Sequence, residues 1–353
     1  MNELIRECIG IDCGSEFHVA SHATMQSDHQ VTHRSSLKFS NSKSGFIKLK
    51  RWMRKNAGEK VAVVMEATGV YHESLACYLV DEGFCISVVL PNKAKHFSKT
   101  LNVKTVNDKV SSQSLAVMGL EKKLDSWTKP NPLYNNLKQL TRERDQLIQE
   151  RTQIKCQLHA EKSGAWSNKN SITRMKQRMV LINKQKTAVE NEIKKIIDSD
   201  PELKRKIQYP LTIKGVGLIT AATILGETNG FSLIRNKKQL VSYAGLDVIE
   251  KLSGTSVRGK SRISHHGNKH LRKSLHFPAL GAIRFSDASK VLYARLIGKH
   301  GIKMKAVVAV QRKVLILVFT LWKNETVFDP DYETKKSRNE LGQSRETALM
   351  ELA

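Results

Sequence analysis

Two short apolar stretches decide the fold of the first third of this chain: residues 8–14 read CIGIDCG, and residues 60–69 read KVAVVMEATG. Each is a run of small and β-branched residues that reaches an acidic residue near its end, a pattern typical of buried strands. Residues 17–25 (FHVASHATM) and 29–39 (HQVTHRSSLKF) alternate in polarity with a period of two. Together with the first stretch they predict a three-stranded antiparallel meander.

Helices are predicted around these strands. Residues 42–56 are amphipathic and basic, and Ser42 offers a cap for their first turn. Residues 72–83 predict a second helix, residues 84–91 a further strand and residues 107–123 a last helix. The resulting order, βββαβαβα, predicts a mixed sheet flanked by helices.

Composition restricts the class of function. The chain has 353 residues, of which 40% are hydrophobic, so it can form sizeable cores in two or three domains. The net charge is +26, and residues 201–320 alone hold 22 basic and 5 acidic residues. A surplus of this size indicates a polyanionic partner, usually nucleic acid, and disfavours a metabolic enzyme for small neutral substrates. A highly charged solvated surface is the alternative interpretation.

Cysteine content and hydropathy indicate a soluble cytoplasmic protein with no membrane partner. The five cysteines are odd in number and form no CxxC pair, so neither a zinc site nor a disulfide framework is predicted. Residues 1–12 contain acidic residues and lack the long apolar segment of a signal peptide. Residues 306–322 are the most apolar late stretch, but three polar residues at 311–313 interrupt them, which predicts a buried helix.

The middle of the chain, residues 130–205, has a helical apolar pattern. Its seam positions recur every three or four residues in two series; Arg144, Arg151 and Lys186 take three of them, and the apolar ones are Leu133, Leu137, Leu140, Leu147, Ile154 and Leu158, then Ile172, Met175, Met179, Ile182, Val189, Ile193 and Ile196. This spacing predicts two long helices that form an antiparallel hairpin or coiled coil. Such a pair serves oligomerisation or acts as a spacer arm, and an intramolecular hairpin without a partner is the alternative.

The region from residue 207 onward begins with a possible phosphate contact. In IKGVG, Lys214, Gly215 and Gly217 form a turn before an Ala-rich helix, a pattern like a helix-hairpin-helix. A turn that joins two helices explains the same residues. Residues 251–286 then contain no acid. Within them, the candidates for phosphate binding are Arg258, Lys260, Arg262, His265, His266, Lys269, Arg272 and Lys273.

Three acidic residues lie where a sheet could bring them together. Asp12 closes the first strand, Glu66 closes the fourth, and Asp108 begins a helix. Carboxylates gathered at one edge of a sheet bind hard divalent cations such as Mg²⁺ or Mn²⁺, which support phosphoryl chemistry. Each residue also has an ordinary alternative: a turn for Asp12, a solvated strand end for Glu66 and a helix cap for Asp108.

Several motifs resemble the insertion-sequence 110 family of DEDD transposases, which includes the Piv-type DNA invertases. The N-terminal motifs are IGIDCGSE (9–16), VVMEATGVYHESLACYL (63–79), VVLPNKAKHF (88–97) and NDKVSSQSLA (107–116). The C-terminal motifs are IKGVGLITAATILGE (213–227), LVSYAGLDVIEKLSGTS (240–256) and SRISHHGNKHLRKSL (261–275). The resemblance therefore extends over residues 7–325 in the family's order.

Four segments are expected along the chain. The resemblance implies an α/β RuvC-like (RNase H-like) catalytic domain over 7–125 and a mainly α-helical transposase and DNA-binding domain over 207–325, which with the coiled coil predicted over 130–205 and a polar tail over 326–353 gives the four segments. The family's four acids are Asp, Glu, Asp and Asp, and the first three correspond to Asp12, Glu66 and Asp108. Ser111 stands at the fourth position, where a neutral hydroxyl joins metal coordination without adding charge, so weaker metal binding is expected.

The resemblance also implies a nucleophilic serine in the C-terminal domain. Ser253, in EKLSGTS, is the best match and Ser256 the second choice; from the residues alone, Ser-Gly is an ordinary turn. Attack by a serine conserves the bond energy as a phosphoserine link, so rejoining needs no ATP. His265 and His266 suggest a general acid or metal ligands, although phosphate contact is the simpler role.

We therefore expect a DNA transposase that cleaves, exchanges and rejoins double-stranded DNA. The family further implies a structured guide RNA. Because recombination needs two duplexes held at once, we also expect a homo-dimer or tetramer formed through the coiled coil, in a prokaryotic, nucleoid-associated location. Three alternatives remain open: a Piv-like invertase, a hydrolytic junction-resolving nuclease that needs no serine, and a catalytically impaired nucleic-acid-binding relative.

Overall fold

The chain divides into two compact units, residues 1–129 and 130–353, and each has its own hydrophobic core. The structure is a computed structural model, and it describes residues 4–102, 105, 107–232, 234–250, 252–253, 257–259 and 262–332. The finer division of the second unit into coiled coil, C-terminal domain and tail stays a prediction.

The N-terminal unit contains a five-stranded mixed sheet. Its strands are β1 (Leu4–Cys13), β2 (Phe17–Gln26), β3 (Val31–Ser40), β4 (Ala62–Glu66) and β5 (Ile86–Val89). The spatial order is β3-β2-β1-β4-β5. Strands β1, β2 and β3 pair antiparallel, whereas β4 pairs parallel with both β1 and β5. The predicted meander and mixed sheet are both confirmed.

Four helices cover this sheet: α1 (Lys43–Asn56), α2 (Glu73–Asp81), α3 (Pro91–Thr100) and α4 (Asp108–Glu121). The hydroxyl of Ser42 accepts a hydrogen bond from the amide of Gly45, so the predicted cap of α1 is present. Alternation along β1 sends Ile9 and Ile11 into the core with α1 and α2, and Cys8 into the core on the opposite face with α4.

Helix α3 was not predicted, and the expected order βββαβαβα is wrong by this one helix. The helix begins with Pro91 at its first turn, where the missing amide proton costs nothing. It buries Ala94 and Phe97, three residues apart, on the face toward the sheet. The preceding strand residues run straight into the helix, so the sequence offers no polar break between the two elements.

Helix α4 lies directly on the sheet backbone. A Cβ atom at Gly10 of β1 would overlap the carbonyl oxygen of Ser112 and the amide of Ala116. On the helix side, a Cβ atom at Gly119 would overlap the thiol of Cys8. Glycine at both positions therefore allows helix and strand to approach more closely than side chains permit, which fixes the height of α4 above β1.

The C-terminal unit is mainly helical. Its helices are α5 (Pro132–Ser163), α6 (Lys169–Ser199), α7 (Pro201–Leu211), α8 (Leu218–Thr228), α9 (Lys237–Tyr243), α10 (Lys269–Ser274), α11 (His276–Phe285), α12 (Asp287–His300) and α13 (Lys303–Asn324). Helix α13 buries ten residues, among them Val310 and Val318, and confirms the predicted buried helix. No helix of the described residues is long and apolar enough to cross a membrane.

Helices α5 and α6 confirm the predicted pair of long helices. They run antiparallel, because Arg144 of α5 donates a 2.6 Å hydrogen bond to Glu190 near the end of α6. Ile154 and Ile193 are buried between them with other apolar residues of the predicted seam. Association with a second copy through these helices stays a prediction.

A buried ion pair fixes the base of α5 to the rest of the unit. Glu227 of α8 has a fully buried side chain, and its two carboxylate oxygens accept hydrogen bonds of 2.6 and 2.8 Å from Arg142. The side-chain amide of Asn268 donates a third bond of 2.6 Å. Burial pushes the pKa of Glu227 up, but these donors outweigh burial and hold the pKa below its ordinary value.

Candidate catalytic site and nucleic-acid surface

Asp12 and Glu66 lie side by side at the carboxyl ends of two parallel strands. The register pairs Ile11 of β1 with Met65 of β4, so the two acids follow at equivalent positions. Ile11 and Met65 point into the core with α1 and α2. Because side chains alternate along a strand, Asp12 and Glu66 therefore point to the opposite face, which α4 covers.

Asp108 is the first residue of α4, and its backbone position is set by a helix cap. The side chain of Asn107 accepts a 2.8 Å hydrogen bond from the amide of Val110. Asp12 senses the other two acids: burial first, and then the charges of Asp108 and Glu66, raise the pKa of Asp12 to about 6. The Asp12 carboxyl is therefore close enough to both other acids to sense their charge.

Ser111 lies one helical turn after Asp108 and faces Asp12. Its hydroxyl forms a hydrogen bond with the Asp12 carboxylate, which partly opposes the rise of the Asp12 pKa. The next residue, Ser112, points to a different neighbour: its hydroxyl lies 2.7 Å from that of Ser21 on β2. Ser111 thus occupies the place at this cluster that the resemblance gives to the fourth acid.

The donor atoms of this cluster suit a hard divalent cation. Three carboxylates and one hydroxyl offer only oxygen, and their mutual repulsion would be relieved by a positive ion. Among the described residues, however, no three His, Cys, Asp or Glu side chains are already gathered around one cation position. The chemistry of the residues fits a metal, and the three-ligand geometry is not formed.

Ser253 lies in the other unit, on a short β-hairpin that was not predicted. Strands β6 (Val248–Ile249) and β9 (Arg262–Ile263) form its base, and β7 (Leu252–Ser253) and β8 (Val257–Arg258) form its outer part. Ser253 pairs with Val257, so it is the last paired residue of its strand. Ser256 and Lys260 lie outside the described residues.

A groove lies at the base of this hairpin. It has a volume of about 490 Å³, and apolar side chains of β6, β9, α12, α13 and the residues beside them form most of its lining. Arg262 and His265, both predicted to bind phosphate, line it together with Lys305 and Arg312 of α13. Sequence reasoning missed the last two, because they lie about 40 residues away and share no motif with the hairpin.

His265 has a left-handed backbone, with a φ of 55°. The backbone around it is held by close contacts: Gly267 leaves no room for a Cβ atom beside Tyr243 and Ala244. A non-glycine residue in this conformation costs about 1 kcal/mol or more, and such strain persists where the surroundings impose it. His266 and Lys269 are exposed nearby.

Three of the predicted phosphate contacts have structural roles. Arg272 donates a 2.8 Å hydrogen bond to the carbonyl of Ala244, and Lys273 lies 3.2 Å from Asp145 of α5. Gly215 has a φ of 101°, and a Cβ atom there would lie 2.8 Å from the carbonyl oxygen of Pro278. Its lack of a side chain is required by packing within the unit.

Two predicted contacts next to this turn remain open to a ligand. Gly217 forms the cap position of α8, and a Cβ atom placed on it would meet no heavy atom within 4 Å. Lys214, three residues earlier, is exposed. Phosphate contact by these two residues stays a prediction. A helix-hairpin-helix motif is likewise not established by the α7–α8 turn.

Two family models match the chain. A transposase model of the IS110 DEDD type matches residues 9–161, and the model of the IS116/IS110/IS902 family of transposases matches residues 209–294. Residues 9–161 and 209–294 are therefore similar to transposase domains of the IS110 type. The first match covers the mixed five-stranded sheet from Ile9 onward, and the RuvC-like assignment of the N-terminal unit stays a prediction.

Similar proteins include two DNA-inverting proteins. The pilin gene-inverting protein of Moraxella lacunata is 28% identical over 313 residues, which cover 85% of this chain and 92% of that protein. Its counterpart in Moraxella bovis is 27% identical over 303 residues, with 82% and 89% covered. An uncharacterised 43.6 kDa protein of insertion element IS110 from Streptomyces coelicolor is 24% identical over 151 residues, with 43% and 36% covered.

Two solved structures of Thermus thermophilus RuvC are also similar to part of the chain. RuvC in complex with a Holliday junction substrate is 8% identical, with a TM-score of 0.26, and the match covers 35% of this chain and all of RuvC. RuvC alone is 11% identical, with a TM-score of 0.28, and covers 34% of this chain and 99% of its own.

Proposed function

We propose that this protein is a recombinase that cleaves, exchanges and rejoins double-stranded DNA of an insertion sequence. The observation that carries the proposal is the placement of Asp12 and Glu66 at equivalent positions of two adjacent strand ends, with Asp108 near enough for its charge to act on Asp12. The two transposase domains and the net charge of +26 support DNA as the substrate.

Asp12, Glu66 and Asp108 would hold Mg²⁺ or Mn²⁺, with Ser111 as a neutral fourth ligand. A divalent ion at this position supplies stabilisation of the charge that develops on the phosphoryl oxygens. The hydrogen bond from Ser111 favours the charged, ligating form of Asp12. A hydroxyl adds no charge, so we propose weaker metal affinity than a fourth carboxylate would give.

Ser253 is the proposed nucleophile. Its oxygen would bond to the scissile phosphorus while the bond to the leaving deoxyribose oxygen breaks, and reversal of the same exchange would rejoin the strands. Arg258 and Arg262, on the strands opposite, would stabilise charge on the phosphate. Catalysis would then combine acids of the N-terminal unit with a serine of the C-terminal unit.

Two partners complete the proposal. Recombination requires two duplexes at once, so we propose a homo-dimer or tetramer associated through α5 and α6. We also propose a structured guide RNA, encoded by the element, that selects target and donor DNA. The oligomer and the guide RNA do not depend on the proposed roles of the acids and of Ser253. Both can be tested by measuring the mass of the protein with and without co-expressed RNA.

The direct test is a cleavage assay with Mg²⁺, element-end DNA and co-expressed flanking RNA, resolved on a denaturing protein gel. We expect a DNA-linked protein band that Ser253→Ala abolishes and that Ser256→Ala, the matched control, retains. Asp12→Asn is expected to abolish the same band. Loss of the band in Ser256→Ala alone would move the nucleophile to that residue.

Two other outcomes would favour a different function. Free cleaved DNA without a linked band, retained in Ser253→Ala, would indicate a hydrolytic nuclease. Tight, salt-sensitive binding without cleavage under any divalent ion would indicate a catalytically impaired relative. In that case Ser111→Asp, which restores the missing carboxylate, is expected to restore cleavage.

Inversion of DNA between two sites is the second candidate. It is favoured by one observation: the pilin gene-inverting proteins are similar over more than 80% of this chain. A plasmid assay separates the two, because inversion changes the orientation of the segment between two sites whereas transposition moves the element to a new target.

A further inference from the structure

One aromatic side chain at the end of the α5–α6 hairpin has no packing role. Trp166 lies in the five-residue turn between the helices and is 95% exposed. Trp322 is buried, and Trp52 and Trp127 pack against the core of the N-terminal unit. A tryptophan left in water gives up a large hydrophobic gain, so its exposure points to a partner that covers it.

The turn that presents Trp166 is held by hydrogen bonds. The amide of Gly164 donates to the carbonyl of Ala160, which closes α5, and the side chain of Asn168 caps α6 by accepting from two amides. The amide of Asn168 donates a 2.7 Å bond to the carboxylate of Glu161. The position of Trp166 is therefore set by the backbone on both sides.

The surface around Trp166 is strongly basic. No Asp or Glu occurs between Glu161 and Glu190, a stretch that contains seven Lys or Arg residues. Six of them are exposed and have no ion pair among the described residues: Lys162, Lys169, Arg174, Lys176, Arg178 and Lys184. The seventh, Lys186, pairs with Glu190 at 3.1 Å. The N-terminal end of α6 adds partial positive charge at the turn.

This end of the hairpin also extends away from the body of the C-terminal unit. Asp145 of α5 pairs with Lys273 of α10. From Asp145 to the end of α5 at Ser163 the helix rises by about 27 Å, at roughly 1.5 Å per residue. Trp166 thus lies at the far end of a helical arm, and the basic residues of α6 extend from that end back along the arm for about 22 Å, at roughly 1.5 Å per residue.

We propose that the end of this arm binds single-stranded DNA, with Trp166 stacked on an unpaired base and the six cations along the sugar-phosphate backbone. A second copy of the same basic surface would be repelled by it, whereas a polyanion is attracted. Within a duplex the base faces are already stacked, so an indole ring gains most from an unpaired strand. Strand exchange in the proposed function exposes such a strand. The inference rests on that function only for the identity of the bound strand as DNA.

The test uses the full-length protein and a 20-nucleotide oligothymidylate. The fluorescence of Trp166 is obtained as the difference between the wild type and Trp166→Phe, and the accessibility of Trp166 to acrylamide is measured with and without the oligonucleotide. We expect the oligonucleotide to quench this fluorescence and to protect it from acrylamide. Trp166→Ala should weaken binding by roughly fivefold to 150-fold, since stacking contributes about 1–3 kcal/mol per base and about 1.4 kcal/mol is tenfold in affinity.

The cations are tested separately. In Lys176→Gln/Arg178→Gln the slope of log affinity against log salt should fall by about 1.4, because each contact to a single strand contributes about 0.7. Matched variants are Lys299→Gln and Lys303→Gln, which lie on α12 and α13 and leave the arm unchanged. In these two variants the oligonucleotide should quench the fluorescence of Trp166 as it does in the wild type.

Four results would overturn the inference, and each is distinct from failure of the proposed function. Labelled DNA that binds while Trp166 stays accessible places all binding elsewhere and leaves the recombinase proposal intact. If Trp166 is protected from acrylamide without DNA, and the protection rises with protein concentration, the arm serves self-association instead. If a 20-nucleotide oligouridylate protects Trp166 at lower concentration than the oligothymidylate does, the arm binds RNA rather than DNA. Absence of single-strand binding, with duplex binding and cleavage retained, removes the arm's role and leaves the recombinase in place.

Discussion

The ion pair between Arg142 and Glu227 is expected to be among the most sensitive points of the C-terminal unit. The Glu227 side chain is fully buried, whereas Arg142 is 40% exposed. Replacing Arg142 by Met therefore leaves a buried carboxylate with the bond from Asn268 and without its bidentate partner. Removing one member of a buried pair costs about 3–5 kcal/mol of unfolding free energy, chiefly because the remaining charge stays desolvated.

The same reasoning predicts an asymmetry. In Glu227→Leu the exposed part of Arg142 can be solvated, so this loss should be smaller than that of Arg142→Met. The double variant, Arg142→Met/Glu227→Leu, removes both charges and should be more stable than Arg142→Met alone. Arg142→Lys keeps the charge but not the two parallel bonds, and should fall between the wild type and Arg142→Met.

The assay is urea unfolding of the full-length protein, combined with amide hydrogen exchange of α8 to localise the effect in the C-terminal unit. A loss of less than about 1 kcal/mol in Arg142→Met would refute the reasoning, since it would mean that Glu227 is solvated or neutral in the folded protein. A double variant no more stable than Arg142→Met would refute it equally.

Three further predictions concern stability. Gly10→Ala should force α4 from the sheet and cost about 1–3 kcal/mol in urea unfolding, whereas Gly217→Ala, in open space, should change stability by less than about 0.5 kcal/mol. The pKa of Glu227 is lowered from 4.5 in the folded protein, so the ionised carboxylate stabilises the fold above that pH, and this contribution is lost as the pH falls through the pKa of the folded state. Glu227→Gln should lack this acid-dependent loss of unfolding free energy in a pH series of unfolding curves. Ile193→Ala, fully buried in the hairpin, should cost about 2–5 kcal/mol in the same assay, and Val180→Ala, 70% exposed, less than about 0.5 kcal/mol.

Local patterns of the sequence predict most of the N-terminal unit. Strand alternation predicts the meander, and a run of apolar residues predicts β4 because buried strands need little else. The backbone positions of Asp12, Glu66 and Asp108 follow from those elements, at two strand ends and one helix start. Helix α3 escapes prediction because Pro91 fits the end of a strand equally well, although proline is also frequent in the first turn of a helix.

The C-terminal unit is less predictable because its important contacts are distant in sequence. Arg142 and Glu227 are 85 residues apart, and no spacing rule relates them. The hairpin that carries Ser253 has strands of only two residues, too short for an alternating pattern to indicate it. Gly215 illustrates a different difficulty: a glycine needed for close packing and one needed for a ligand look identical in sequence.

The contact between Gly10 and α4 has a consequence for attempts to change the metal preference of the proposed site. No side chain separates the helix from the strand, so core substitutions other than those at Gly10 and Gly119, where a side chain would push α4 away, leave the spacing between Asp12 and Asp108 unchanged. Selection in the laboratory can therefore change the proposed metal-binding side chains more readily than the distance between β1 and α4. Variants with new ion selectivity should accumulate at position 111 and its immediate neighbours, and libraries directed at the core beneath the site should yield stability changes alone.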